Sequence, residues 1–352
     1  MARRAPMKVT LTGLQAFQGL EFDDIIDVRS PSEFAEDHLP GAINLPVLDD
    51  DERVRVGTIY KQTSPFAARV IGASLVSANA ARHLSRDLAE KPGDWRPLVY
   101  CWRGGQRSGS FATILAQIGW RVGVLEGGYK TFRRLVVDAV HDQEIRHEIV
   151  LLDGNTGTAK TRVLCHLAEL GVQVLDLEAL AAHRGSLFGV MPGGQPSQKR
   201  FETGIALALS QFDPSRPVVI EAESNRIGVL GVPTSLWAAM KLARRVEIVA
   251  PLQARAHYLV GAYADMLKDH AQFSAILHAL ARYHGHERVE IWQGYFEQNA
   301  FQKLAEELMV HHYDPRYRRS RGTTGQAHQS YACDALDDEN LRALAARIAA
   351  DL

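Results

Sequence analysis

The sequence has 352 residues and a formal net charge of −1, from 40 Lys and Arg against 41 Asp and Glu. That length accommodates two domains with cores of their own, while the even charge balance excludes a global attraction to nucleic acid, so any RNA contact must come from local basic patches. Three cysteines, Cys101, Cys165 and Cys333, lie far apart with no C-x-x-C pair, which excludes a disulfide framework or a cysteine zinc site and fits a reducing cytoplasm.

In chain order, Met1–Pro6 is basic but no apolar core follows it, so it does not read as a signal peptide, and no stretch reaches the length of a membrane span. Ile25-Ile26-Asp27-Val28 is a short strand leading into a helix that starts with a Ser30/Glu33 capping box and Pro31 at the first position. Asp27 and Arg29 read as a structural ion pair at the sheet edge. Pro40–Pro46 is a turn and a short strand ended by proline. Leu98-Val99-Tyr100 is a buried strand, and Ser108–Leu115 settles into a helical apolar period. Between them lie Cys101, Arg103, Gly104, Gly105 and Arg107. Glycines let backbone N–H groups turn inward as an anion-binding nest, and the helix adds the positive end of its dipole. A cysteine held there beside two arginines is expected to be a thiolate nucleophile. The competing reading is a small buried apolar residue, but such a residue needs neither arginines nor a glycine pair. Two chemistries stay open. Cys101 and Arg107 fit the C-x5-R spacing of cysteine phosphatases, and the strand–loop–helix also resembles the rhodanese loop, whose cysteine carries a persulfide or perselenide.

Thr131–Arg146 is charged and helix-like, a bridge to a second domain. Ile149–Leu152 is a strand entering Gly154-Asn155-Thr156-Gly157-Thr158-Ala159-Lys160-Thr161, and a helix follows with Val163, Leu164, Leu167 and Leu170 on one face. This is the context of a phosphate-binding P-loop, in which backbone N–H groups and Lys160 surround the anion. Thr161 stands where a Mg²⁺ ligand normally lies. The usual glycine before the lysine is Ala159, whose Cβ hinders close phosphate approach; this favours a phosphate-bearing ligand other than ATP. Cys165, one turn on, is expected in the core. After a strand at Val172–Asp176 comes H-R-G-S, where Arg184 and Ser186 serve either as anion contacts or as parts of a solvated loop. Phe201–Gln211 is helical. Pro217–Ser224 is a buried strand finishing in acid, as a Walker B element does, with Glu221 or Glu223 as one functional acid that orients Mg²⁺ or acts as a general base, the alternative being an ion pair with Arg226 or Arg184. Arg245–Val249 is a further strand, and long helices are expected over about Leu252–Leu308. The late histidines (His270, His278, His284, His286, His311, His312) lack metal-ligand spacing, so no metal ligand is assigned. Arg316, Tyr317, Arg318, Arg319 and Arg321 can neutralise phosphates and stack on a base. Asp337–Leu352 is an acid-capped terminal helix.

Three ordered blocks, D-V-R-S-P-x-E-F, H-L-P-G-A-I-N-L-P and C-x-R-G-G-x-R-S, resemble a rhodanese domain over residues 12–135. The insertion holding V-G-T-I-Y-K-Q at 56–62, Trp102, L-E-G-G-Y-K at 125–130, H-R-G-S-x-F-G and E-x-E-S-x-x-I-G together resemble the bacterial tRNA 2-selenouridine synthase family along nearly the whole chain. The resemblance implies an α/β fold: a rhodanese-like domain at 12–135, a helical linker at 136–147, and a P-loop NTPase-like α/β domain with C-terminal helices at 148–352. It implies a cytoplasmic transferase that converts tRNA wobble 2-thiouridine to 2-selenouridine through an S-geranylated intermediate. Geranyl diphosphate and selenophosphate are the implied co-substrates, with the diphosphate on 154–161 and selenium carried by Cys101. The residues by themselves also admit a rhodanese-fold cysteine phosphatase, or a non-catalytic RNA-binding P-loop module.

Overall fold

The computed structural model describes residues 5–17, 19–185, 189, 191–264, 266–316 and 328–352. The chain forms two compact units, Met1–Gln143 with Pro196–Gln211, and Glu144–Gln195 with Phe212–Leu352.

In the first unit, β1 (Met7–Val9), β2 (Asp24–Asp27), β3 (Ala42–Asn44), β4 (Pro97–Tyr100) and β5 (Gly123–Leu125) make a parallel sheet in the order β1-β5-β4-β2-β3. All four residues of β4 are buried, as a central parallel strand covered on both faces requires. Helices α1 (Pro31–Glu36), α2 (Asp50–Gln62), α3 (Pro65–Ser85), α4 (Gln106–Ile118) and α5 (Gly128–Val137) belong to this unit. Ile26, Val28, Val99, Phe111 and Leu115 share one core, and Trp95 meets Trp120 edge-on at 4.9 Å. The inserted segment folds as α2 and α3; Ser64 Oγ caps α3 by accepting from Phe66 N and Ala67 N, with Pro65 in the first position. Asp27 and Arg29 form a buried ion pair at 2.6 Å, and the Arg29 guanidinium lies 4.0 Å over the Tyr129 ring.

In the second unit, β6 (Ile149–Gly154), β7 (Gln173–Leu175), β8 (Val218–Glu221), β11 (Arg244–Val249) and β12 (His328–Ala332) form a parallel sheet in the order β12-β11-β6-β8-β7. The short strands β9 (Arg226–Ile227) and β10 (Leu230–Gly231) pair separately. Helices α6 (Lys160–Glu169) and α7 (Leu177–Ala181) follow β6 and β7. The strand that feeds the phosphate loop is therefore central, and Glu221 at the end of β8 pairs in register with Leu152 of β6. Parallel pairing brings the ends of β6, β7 and β8 to one edge of the sheet, where open α/β sheets bind ligands.

Four expectations need correction. Helix α8 (Gln198–Gln211), read as part of the second domain, belongs to the first unit. There Thr203 Oγ1 donates to buried Asp37 at 2.8 Å, and Glu202 accepts from Arg133. The helical linker is not continuous, because α5 runs into a π-helical turn over Asp138–Asp142 within the first unit and ends there. Cys165 is exposed, since it lies on the outer face of α6 opposite Val163 and Leu167. The stretch 252–308 is a set of shorter helices: α9 (Thr234–Leu242) precedes it, then α10 (Leu252–Ala262), α11 (His270–Ala279), α12 (Ala281–His284), α13 (His286–Glu297) and α14 (Phe301–Leu308). Gly285 at φ 78° and Asn299 at φ 56° break the run. Strand β12 was not foreseen from its polar sequence, whereas α15 (Asp338–Ala350), capped by Asp337, packs Leu341, Leu344 and Ile348 into the core of the second unit. Among the described residues no helix is long and apolar enough to cross a membrane.

Candidate functional site

Each unit carries a glycine-bearing loop between a central strand and a helix. In the first, β4 ends at Tyr100 and Cys101 opens the loop to α4, whose N-cap is Gly105. The N-terminus of this 13-residue helix adjoins the loop, an arrangement that favours anions. The G-G-Y-K block forms the other side of the loop: Tyr129 N donates to Cys101 O at 2.8 Å and Lys130 N to Trp102 O at 2.9 Å. Such close backbone approach needs glycine. At Gly128, with φ 59°, a Cβ would come within 2.2 Å of Cys101 O.

The two arginines expected beside the cysteine do not close around it. Cys101 is 3% exposed, with Sγ 3.2 Å from Ser108 Oγ. Arg103 and Gly105 are exposed and Gly104 is half-buried. Arg107 is turned to Glu33 at 2.7 Å, because a half-buried guanidinium costs free energy unless a carboxylate answers it. Burial works to raise the Glu33 carboxyl, but the hydrogen bond and charge of Arg107 outweigh it and hold Glu33 below its ordinary range. Glu33 also accepts from Ser30 N at 3.2 Å, so the capping residue of α1 ties that helix to the cysteine loop.

In the second unit, β6 delivers the loop 154–161 to α6. Gly154 and Gly157 hold positive φ, and the Lys160 ammonium is buried and donates to Gly154 O at 2.9 Å. Thr158 Oγ1 donates to Asn155 O at 2.8 Å. Ala159 sits at φ 59°, the left-handed conformation that glycine supplies without strain, and its methyl is buried in the core that holds Val163. Arg255 donates to Thr156 O and forms a bidentate pair with buried Asp314 at 3.0 Å, so the start of the basic segment is tied to the phosphate loop.

Three carboxylates meet beside this loop. Oxygens of Glu178, Glu221 and Glu223 all lie within 4.8 Å of one another, and Thr161 Oγ1 lies 3.4 Å from Glu221 Oε2. Burial, then the charges of Glu221 and Glu223, push Glu178 up to about 9. Burial, then Glu221, pushes Glu223 up to about 7, and burial raises Glu221 as well despite Lys160. Oxygen-only donors of this kind suit a hard divalent ion such as Mg²⁺. Glu178 was missed in the sequence; it follows strand β7 within a short helix, and only the pairing of β7 with β8 brings it to the other two acids.

A cleft of about 1310 Å³ brings together Lys160, Thr161, Glu221, Glu223, Arg184 and Arg316. Arg184 lies over the Tyr263 ring at 5.3 Å, and Arg316 over Tyr283 at 4.6 Å. Gly185 of the H-R-G-S block has φ 66°, and a Cβ there would meet Glu178 Oε1 at 2.0 Å. Ser186, Tyr317, Arg318, Arg319 and Arg321 lie outside the described residues. Of the late histidines, His284 Nε2 and His312 Nδ1 are 2.8 Å apart, and burial followed by Arg316 brings His312 down to about 4.

A family model described as the AAA domain of tRNA 2-selenouridine synthase matches residues 147–335, and a rhodanese-like domain model matches 14–135. The chain is 37% identical over 238 residues to the tRNA 2-selenouridine synthase of Nitrosomonas europaea, covering 66% of this chain and 61% of that one. It is 33% identical to that of Shewanella loihica, covering 85% and 87% of the two chains. With that of Alcanivorax borkumensis it shares 37% identity over 71% and 69%.

Proposed function

The chain belongs to the tRNA 2-selenouridine synthase family, and on that premise we propose that it replaces the sulfur of a tRNA wobble 2-thiouridine with selenium in two steps. The observation that carries this reading is one chain holding both a cysteine loop at a helix N-terminus and a lysine-bearing phosphate loop. In the first step the thiocarbonyl sulfur attacks C1 of geranyl diphosphate. An S–C bond forms, the C–O bond breaks, diphosphate leaves, and the base loses its N3 proton. Lys160 and the loop amides stabilise the charge on the departing diphosphate. In the second step the P–Se bond of selenophosphate breaks, phosphorus leaves as phosphate with oxygen from water, and selenium at the selenide level bonds to C2. The C2–S bond breaks and geranyl thiol departs, a far better leaving group than the original thiocarbonyl sulfur.

Arg103, Gly104, Gly105 and Arg107 are assigned to the selenophosphate and Cys101 to the selenium. Because Cys101 is buried, the donor reaches it only as the loop shifts. Forming a perselenide on Cys101 would need a two-electron oxidant that selenophosphate does not supply, so Cys101 is assigned to meeting selenium at the selenide level as it leaves phosphorus, and a mass increment of one selenium on Cys101 would overturn that assignment. Mg²⁺ held by Thr161 and the three glutamates would neutralise diphosphate charge. Arg184 and Ser186 are assigned to a substrate anion, and Arg316, Tyr317, Arg318, Arg319 and Arg321 to tRNA, in a cytoplasmic enzyme. The test is nucleoside analysis of tRNA treated with each variant. Cys101→Ala should abolish selenium incorporation while S-geranylated nucleoside accumulates, and loss of both steps refutes the division. Lys160→Ala should stop geranylation first, and undiminished geranylation removes the phosphate-loop assignment.

A further inference from the structure

An apolar cavity of about 80 Å³ opens beside the phosphate loop, walled by Leu259 of α10, Phe273 of α11, and Phe301 and Ala305 of α14. Of its twelve lining residues, Thr156, Tyr263 and Tyr313 alone carry a side-chain oxygen. Thr156, Leu259, Tyr263 and Tyr313 also line the cleft that holds Lys160, so the cavity and the anion site share a wall. The separation is fixed, since an ideal Cβ at Gly157 would meet Arg255 O at 2.9 Å and Leu259 Cγ at 3.0 Å, so the loop backbone rests directly on α10. An anion-binding loop that opens into an apolar hole suits a ligand with a phosphate head and a hydrocarbon tail. It does not suit a nucleotide, whose base would leave its polar edge unpaired there.

Resting on the diphosphate reading above, we propose that this cavity takes the branched end of the prenyl chain and sets the chain length the enzyme accepts. A cavity of about 150 Å³ takes the six carbons of benzene, so this one holds roughly three or four heavy atoms. That matches the branched end of one isoprene unit and is too small for two units. Each buried methylene is worth about fourfold in affinity, so a filled cavity separates ten-carbon from five-carbon donors by about a hundredfold or more.

The experiment measures binding of inorganic diphosphate and of dimethylallyl, geranyl and farnesyl diphosphates to the full chain. Geranyl diphosphate should bind about a hundredfold more tightly than inorganic diphosphate. Ala305→Phe, which fills the hole from α14, should remove that advantage and leave inorganic diphosphate binding unchanged. If Ala305→Phe weakens both, the complementary variant decides: Phe301→Ala, at a half-buried position, should shift the preference towards farnesyl diphosphate. An unchanged chain-length preference in that variant overturns the proposal, as does wild-type protein that binds geranyl diphosphate no more tightly than inorganic diphosphate. Failure to bind any diphosphate would instead strike the phosphate-loop reading itself.

Discussion

Gly128 shows how one missing side chain shapes the cysteine loop. Its φ of 59° costs an L-residue about 1–2 kcal/mol, and the added methyl would meet backbone at Cys101 O and at Gly104 N, 2.6 Å away, which cannot swing aside. Overpacking of this kind costs about 1–3 kcal/mol more. Gly128→Ala should therefore destabilise the first unit by about 2–5 kcal/mol, seen as a drop in thermal midpoint of roughly 5–20 °C. Selenium incorporation should fall while geranylation is retained, and an unchanged midpoint would show that the loop is not clamped there. The sequence displayed this glycine only as part of the L-E-G-G-Y-K block. Its reason lies 27 residues earlier in the chain, at Cys101. Ala159 was the reverse case: the departure from glycine was visible, but the buried methyl that offsets its left-handed strain was not.

The ends of β7 and β8 concentrate carboxylates that the fold holds partly protonated. An unfolded glutamate titrates near 4.5, whereas Glu223 rises to about 7 and Glu178 to about 9. The folded state thus binds more protons between these values, and stability falls as pH rises. This contribution is fully present below about 4.5, declines most steeply up to about 7, and levels off above about 9. Above about pH 4.5 the thermal midpoint of metal-free protein should follow that course, and Glu178→Gln should flatten the stretch between 7 and 9. A divalent ion needs these carboxylates deprotonated, so Mg²⁺ should raise the midpoint more at pH 8.5 than at pH 6. A midpoint that rises with pH across this window would contradict the grouping. Strand, loop and helix at 149–169 were legible because an apolar run met glycines and then a 3.6-residue period. Glu221 and Glu223 were legible because they end an apolar run. Glu178 carries no such local mark, and β12 exposes too much of its polar edge strand to show an alternating pattern, with Tyr331 and Cys333 its neighbourhood's buried anchors.

At the scale of the whole molecule, the chain leaves the first unit near Gln143 and returns to it for Pro196–Gln211. A linear reading of motifs divides the sequence into consecutive blocks, and α8 bears no motif that assigns it to either. What assigns it is polar pairing: Asp37, 1% exposed, accepts from Thr203 Oγ1 and from Tyr129 OH, both at 2.8 Å. Arg133 pairs with Glu202, which also meets His141 at 3.2 Å, and Arg200 donates to His38 O at 3.2 Å. Without α8, Asp37 loses a donor and the Arg133 guanidinium loses its carboxylate. Each loss of a buried partner costs about 1–3 kcal/mol, more where a charge is involved. A fragment of residues 1–143 should therefore melt well below one in which 196–211 is rejoined through a flexible linker, by roughly 10 °C for a unit of this size. The double substitution Glu202→Gln and Thr203→Val should lower the midpoint of the rejoined fragment by most of that difference without removing the helix. Equal midpoints for the two fragments would mean that α8 contributes nothing to the first unit, and that the division at a 136–147 linker read from the sequence order alone is sufficient.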